Sequence, residues 1–471
     1  MHRVLVIAAS LAFCGVLAPR SAMALPLKPS PEVRVEGGIL SGIDQGPVRA
    51  FLGIPYAAPP LGDLRWRAPQ PPASWSGKKA AVRFSASCMQ RRQSGGPWTS
   101  EFRPRGPLSE DCLTINIWTP AGTATPPLAA MVWLHGGSFK TGSSSVPIYD
   151  GRHLAARGII VATLNYRLGV LGFLAHPQLT AESELHVSGN YGLLDIIEAL
   201  QWLERNIAAF GGDPKRVTIA GQSAGAFAVE LLEAAPAARD LFQQAIAESG
   251  PTGHPIQWRG LAEAELRGTR YLQARGLASI DALRHVPATR LYAPGSRGDA
   301  APDRNFPPIA DGVIVPGDGA TASGEYHDIA TLAGFNVDER GSHQAAAGIA
   351  ARLAGSKGAR DTLIEWGRRR AMHCRTSLYL YLYDHVEPGP QSARRGAFHG
   401  AELPYVFDTL DVADHRPFSA ADREVAERMA GYWVNFVRSG TPNGPGMPNW
   451  PAFDAAAPAI MEIGDRLTAL R

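Results

Sequence analysis

Six short apolar, β-branched runs alternate with helical patterns along this chain: Met131–Leu134, Ile159–Leu164, Val217–Ala220, Ala245–Ala247, Thr331–Ala333 and Leu378–Tyr383. Between the second and third lies Leu193–Phe210, with Leu194, Ile197, Leu200, Gln201 and Leu203 at helical spacing. After the third comes a helical segment, Ala224 to Leu232, that opens with small residues. Near the C-terminus, Asp422–Val437 puts Val425, Met429, Trp433 and Phe436 on one face of a long helix. Strands and helices that alternate in this way predict an α/β chain with a mostly parallel sheet covered on both faces. No internal repeat, long linker or composition shift marks a domain boundary.

Composition narrows the class of function. With 45% hydrophobic and 19% charged residues, the 471-residue chain can bury a large core. Its 50 glycines and 38 prolines are scattered, so they read as short connections and sharp turns rather than low complexity. Beyond the N-terminus no stretch approaches the roughly eighteen apolar residues that span a bilayer, so the mature chain is expected to have no membrane span. Formal charge is +3, without the basic stripe of a nucleic-acid binder.

The N-terminus reads as an address. Arg3 precedes an apolar stretch from Val4 to Ala18, followed by Ala22-Met23-Ala24, a small-x-small cleavage site. A buried first helix is the alternative, but Pro19, Pro26, Pro29 and Pro31 would break its continuation. Phe13 stands before Cys14, where a lipoprotein cleavage site wants a small residue. Residues 1–24 are therefore expected to be a signal peptide and 25–471 a single domain, secreted or periplasmic. Export permits disulfides among Cys88, Cys112 and Cys374. A Cys88–Cys112 bridge would close a modest loop, worth roughly 3 kcal/mol, and would leave Cys374 as the odd, buried thiol.

The strongest chemical signal is Gly221-Gln222-Ser223-Ala224-Gly225, between the run Val217–Ala220 and a helical pattern. A serine on a tight strand-to-helix turn needs glycines on both sides, because the backbone is strained and neighbouring elements come close. The helix N-terminus behind it favours developing negative charge. A second signal, His135-Gly136-Gly137-Ser138-Phe139, ends the run Met131–Leu134. Consecutive small residues let backbone N–H groups face a bound carbonyl, as an oxyanion hole requires.

Together these residues resemble the type-B carboxylesterases, the cholinesterase and para-nitrobenzyl esterase group of α/β-hydrolases. The resemblance runs from Phe51–Ala57 through Ser109–Leu113, Asn165–Gly169, Gly189–Asp195 and Asn206–Pro214 to Trp450-Pro451, nearly the whole mature chain. It implies an α/β-hydrolase fold with a reduced helical cap region, a Cys88–Cys112 disulfide, and a small-molecule ester as substrate. No metal and no organic cofactor is implied. Ser223 matches the nucleophile, His399 in Phe398–Leu403 the general base, and Glu339 in Gly334–Glu339 the acid that orients it. Asp338 is the neighbouring candidate for the acid, and His385 and His373 are rivals for the base. The oxyanion donors would be the N–H groups of Gly137, Ser138 and Ala224.

Three departures from the family pattern carry expectations. Ser138 stands where a third glycine is usual, which narrows the room beside the acyl group. Gln222 replaces a glutamate before the serine, which should weaken attraction for cationic substrates such as choline esters. Glu339 and His399 are unusually close in sequence, and Gly341–Cys374 leaves room for one or two helices. A shallower, more open site that tolerates bulky esters follows. The triad would serve an amidase, carbamate hydrolase or lactonase equally well, and the fold also occurs in non-catalytic adhesion modules. Members of that last class lose the nucleophile or the histidine, which this chain keeps. Arg368–Arg370 and Arg394-Arg395 read as solvated surface. Ser249 reads as structural, with a hydrogen bond to the acid as the alternative.

Overall fold

The computed structural model describes residues 30–92, 98–122, 125–250, 259–292, 306–317, 327–339, 348–389, 392–413, 416–464 and 467–470. The expected signal peptide lies outside them. An eleven-stranded mixed sheet organises the chain. In sequence its strands are β1 Ile43–Asp44, β2 Val48–Pro55, β3 Thr114–Pro120, β4 Leu128–Leu134, β5 Ile160–Leu164 and β6 Gly212–Gln222. They continue with β7 Gln244–Glu248, β8 Ala330–Asn336, β9 Leu378–Tyr383, β10 Ile460–Ile463 and β11 Leu467–Leu470. In space the order is β11-β10-β9-β8-β7-β6-β4-β5-β3-β2-β1. Every pairing from β5 to β10 is parallel. The two flanks are antiparallel.

Alternation along β4 shows why its run is continuously apolar. Val132 and Leu134 enter one core cluster and Met131 and Trp133 the other, and all four are fully buried. A strand covered on both faces has no polar side. Helix α1, Tyr191–Asn206, buries Leu193, Ile196, Leu200 and Leu203 in the first cluster. Helix α4, Ala420–Ser439, buries Val425, Met429, Trp433 and Phe436 in the second, across the sheet. A reciprocal Ser419–Asp422 capping box starts α4, and Gly440 at φ 74° ends it. Between them in sequence lie α2, Ala224–Ala234, and α3, Gly348–His373. Among the described residues, α3 is the single long helix between β8 and β9, within the one or two expected.

Two sequence expectations need correction. The antiparallel strands β2 and β3 went unread, partly because β3 carries a polar residue, Asn116, at a buried position. That amide is satisfied by the Gly53 N–H at 2.8 Å and by Ser144 Oγ at 3.0 Å. Arg370 is not solvated surface. It is buried under α3, forked onto Glu233 at 3.0 and 3.1 Å and donating to Thr331 Oγ1 at 2.7 Å. Helical spacing turns it toward the sheet while Arg368 stays exposed. Arg395 is half-buried, and the Arg394 side chain lies outside the described residues. Cys88 and Cys112 form a disulfide, and Cys374 is a buried free thiol.

Candidate active site

The turn after β6 is built by two contacts that exclude side chains. A Cβ on Gly225 would sit 2.0 Å from the Leu134 carbonyl oxygen, and one on Gly221 would sit 2.5 Å from the Gly225 carbonyl carbon. Strand β4 therefore meets the start of α2 backbone to backbone. Ser223 sits between them at φ 55° and ψ −122°, a conformation that costs a non-glycine residue roughly 1–3 kcal/mol. Its N–H donates to the Glu248 carbonyl at 2.8 Å, which pins the turn to β7. Ala224 opens α2, so its N–H is among those without an intrahelical acceptor.

Beside this turn, β4 ends in His135-Gly136-Gly137-Ser138. Gly137 has φ 115°, and a Cβ there would lie 2.1 Å from the Thr141 carbonyl oxygen. Ser138 and Phe139 follow at φ 56° and 58°. Ser138 thus takes a left-handed conformation that the usual glycine would adopt without strain. Among the described residues, the N–H groups of Gly137 and Ser138 have no backbone acceptor. His135 buttresses the loop. It is buried and stacked on Tyr166, and burial lowers its pKa to about 4, so the ring stays neutral.

Glu339 and His399 come together across two loops. His399 Nδ1 donates to Glu339 Oε2, and Glu339 Oε1 accepts from the Asn336 N–H at 2.8 Å. Burial alone would lower the pKa of His399. The hydrogen bond and charge of Glu339, with the charge of Glu402 behind, more than offset it and raise the pKa overall. With Nδ1 donating, Nε2 carries the lone pair. That nitrogen accepts from the Gln222 side-chain amide at 3.2 Å. Trp98 Nε1 donates to the His399 carbonyl at 3.1 Å.

The rivals lie elsewhere. His385 pairs with Asp422 at 2.8 Å under the start of α4, and His373 is exposed at the end of α3. Asp338 does not face the imidazole; its carboxylate accepts from the Ala397 N–H at 2.9 Å. Among the described residues Ser249 Oγ has no hydrogen-bond partner, so the alternative bond to Glu339 is not made. Sequence reasoning missed Asn336, Asp338 and Trp98 as residues that fix the loops carrying Glu339 and His399. The Asn-Val-Asp-Glu run was the available signal for the first two.

Sheet order, strand-to-helix serine turn and adjacent glycine loop define an α/β-hydrolase fold. The carboxylesterase family model matches residues 29–366 and 357–471, and the chain belongs to that family. It is 36% identical to a fumonisin B1 esterase from Sphingopyxis macrogoltabida, over 92% of this chain and 86% of that protein. It is 32% identical to human cocaine esterase, over 92% and 86%. Among solved structures, a PNB esterase superimposes with a TM-score of 0.79 at 29% identity, covering 93% of this chain and 96% of that one. The protein is accordingly a carboxylic ester hydrolase.

Proposed function

We propose that the enzyme is a serine carboxylesterase acting through an acyl-enzyme, with Ser223, His399 and Glu339 as its triad. The observation that carries this reading is the imidazole of His399. Its Nδ1 is held by a carboxylate, and its bare Nε2 meets the residue next to Ser223. That is the tautomer a general base needs. Nε2 takes the Ser223 hydroxyl proton as Oγ attacks the ester carbonyl carbon. The carbonyl oxygen becomes an oxyanion facing the N–H groups of Gly137, Ser138 and Ala224, where loss of one donor costs about 10²–10³ in rate. The imidazolium then protonates the departing alkoxide, leaving an acyl-serine. Water, deprotonated by the same Nε2, attacks the acyl carbon; the imidazolium then returns that proton to Ser223 Oγ as the bond to serine breaks and the acid is released. Glu339 keeps the imidazole oriented and stabilises its charge throughout.

The same reading gives residues 1–24 as a signal peptide removed on export, and 25–471 as one domain. N-terminal sequencing of the exported protein reads the cleavage point. Mixing the enzyme with p-nitrophenyl butyrate tests the mechanism. A burst of p-nitrophenol stoichiometric with enzyme, absent in Ser223→Ala, is expected if acylation outruns deacylation. Unchanged turnover in Ser223→Ala overturns the assignment.

A further inference from the structure

Two carboxylates that the proposed chemistry does not use lie behind the triad. Glu248 ends β7, and Glu402 follows His399 by three residues; both are fully buried. Each has one oxygen satisfied and one orphaned. Trp433 Nε1 donates to Glu248 Oε1 at 2.7 Å, and Asn336 Nδ2 donates to Glu402 Oε2. Among the described residues, Glu248 Oε2 and Glu402 Oε1 have no hydrogen-bond partner. Among the described residues neither carboxylate has a lysine or arginine partner within ion-pair distance. Glu248 pairs with Gly334 of β8, on the same sheet face as Asn336 two residues on, and the charge of Glu402 reaches it. Two buried, unpaired negative charges in one such cluster would be prohibitively costly, whereas one carboxyl and one carboxylate are not.

Asn336 connects Glu402 to the His399 loop. Its N–H holds Glu339 Oε1, and its side chain donates both to Glu402 and to the Phe398 carbonyl at 2.7 Å, one residue before His399. We propose that Glu248 and Glu402 hold one proton between them, and that the single negative charge they retain tunes the basicity of His399. They are positioning residues, acting through the electrostatics and the Asn336 bridge. Burial, then the Glu402 charge, pushes the pKa of Glu248 well up; burial, then the Glu339 charge, does the same for Glu402. The other titratable groups in reach are Glu339, His399 and the phenols of Tyr149, Tyr381 and Tyr383. Burial raises the pKa of all three phenols, which therefore stay neutral.

This inference rests on His399 being the base, and its test separates the two. The pH dependence of kcat/KM on a neutral p-nitrophenyl ester is measured for the full enzyme, Glu248→Gln and Glu402→Gln. With Glu248 neutralised, the retained charge settles on Glu402, nearer the imidazole, and the acid limb moves up by about 0.5–1 pH unit. With Glu402 neutralised, it settles on Glu248, farther away, and the limb moves down. Two downward shifts mean both groups were ionised, and no shift in either means both were neutral; each outcome overturns the shared proton. If His399→Ala keeps full activity, the base assignment fails instead. An infrared band of a protonated carboxyl in the unmodified enzyme at pH 8, lost in Glu248→Gln, is expected independently of that assignment and of catalysis. Its absence overturns the pair even if a variant fails to fold.

Discussion

Gln222 precedes the serine where the family usually carries glutamate, and an amide differs from a carboxylate in being able to donate. Its contact with His399 Nε2 at 3.2 Å suits the neutral imidazole and not the imidazolium, which has a proton there. In the proposed mechanism Ser223 must therefore displace this amide from the lone pair to transfer its proton. A glutamate would instead accept from the imidazolium and attract cationic alcohols. Gln222→Glu is expected to raise the acid limb of kcat/KM and to increase preference for a choline ester over its neutral isostere by about tenfold. A strong choline preference in the unmodified enzyme would contradict this. His399 itself has a raised pKa, so activity, which needs the neutral ring, should fall with a midpoint above the ordinary imidazole value of about 6.5. The sign for stability is the opposite. The stabilising contribution of the charged ring is fully present below the unfolded-state pKa and is lost as pH rises through the raised folded value.

At the scale of elements, the strand-to-helix turn at Ser223 was legible because close backbone approach leaves only glycine at 221 and 225. Their neighbours at 2.5 and 2.0 Å admit no Cβ. The parallel strands were legible because burial on both faces makes them continuously apolar. What could not be read were the residues that join distant loops. Asn336, Asp338 and Trp98 act only once segments up to 301 positions apart meet, and no local periodicity records that. Arg370 belongs to the same category. It docks α3 onto β8 and α2 through Thr331 and Glu233, with 3% and 1% exposure for the two charged side chains. Arg370→Ala should cost about 3–5 kcal/mol by stranding the Glu233 charge. Adding Glu233→Gln should recover part of that in thermal denaturation. An unchanged melting temperature in the single variant would refute the role.

For the whole molecule, the shortness of the segment joining Glu339 to His399 bears on the mouth of the site. It runs 60 positions, and after the residues outside the description it consists mainly of α3 and β9. If so short a segment leaves the entrance open, as expected from the sequence, bulky alcohol esters should react within about tenfold of ethyl and butyl esters. A uniform, much larger loss across a bulky series would contradict an open site. The Cys88–Cys112 bridge works at this scale too, closing the loop that carries Trp98 to the His399 carbonyl.

The central claim is that Ser223, activated by His399, becomes acylated. Incubation with an organophosphonate ester, followed by peptide mapping of the adduct, addresses it most directly. The account predicts a single stoichiometric adduct on Ser223 that disappears in His399→Ala while the variant remains folded. An adduct on another residue, or none on the folded enzyme, would contradict it.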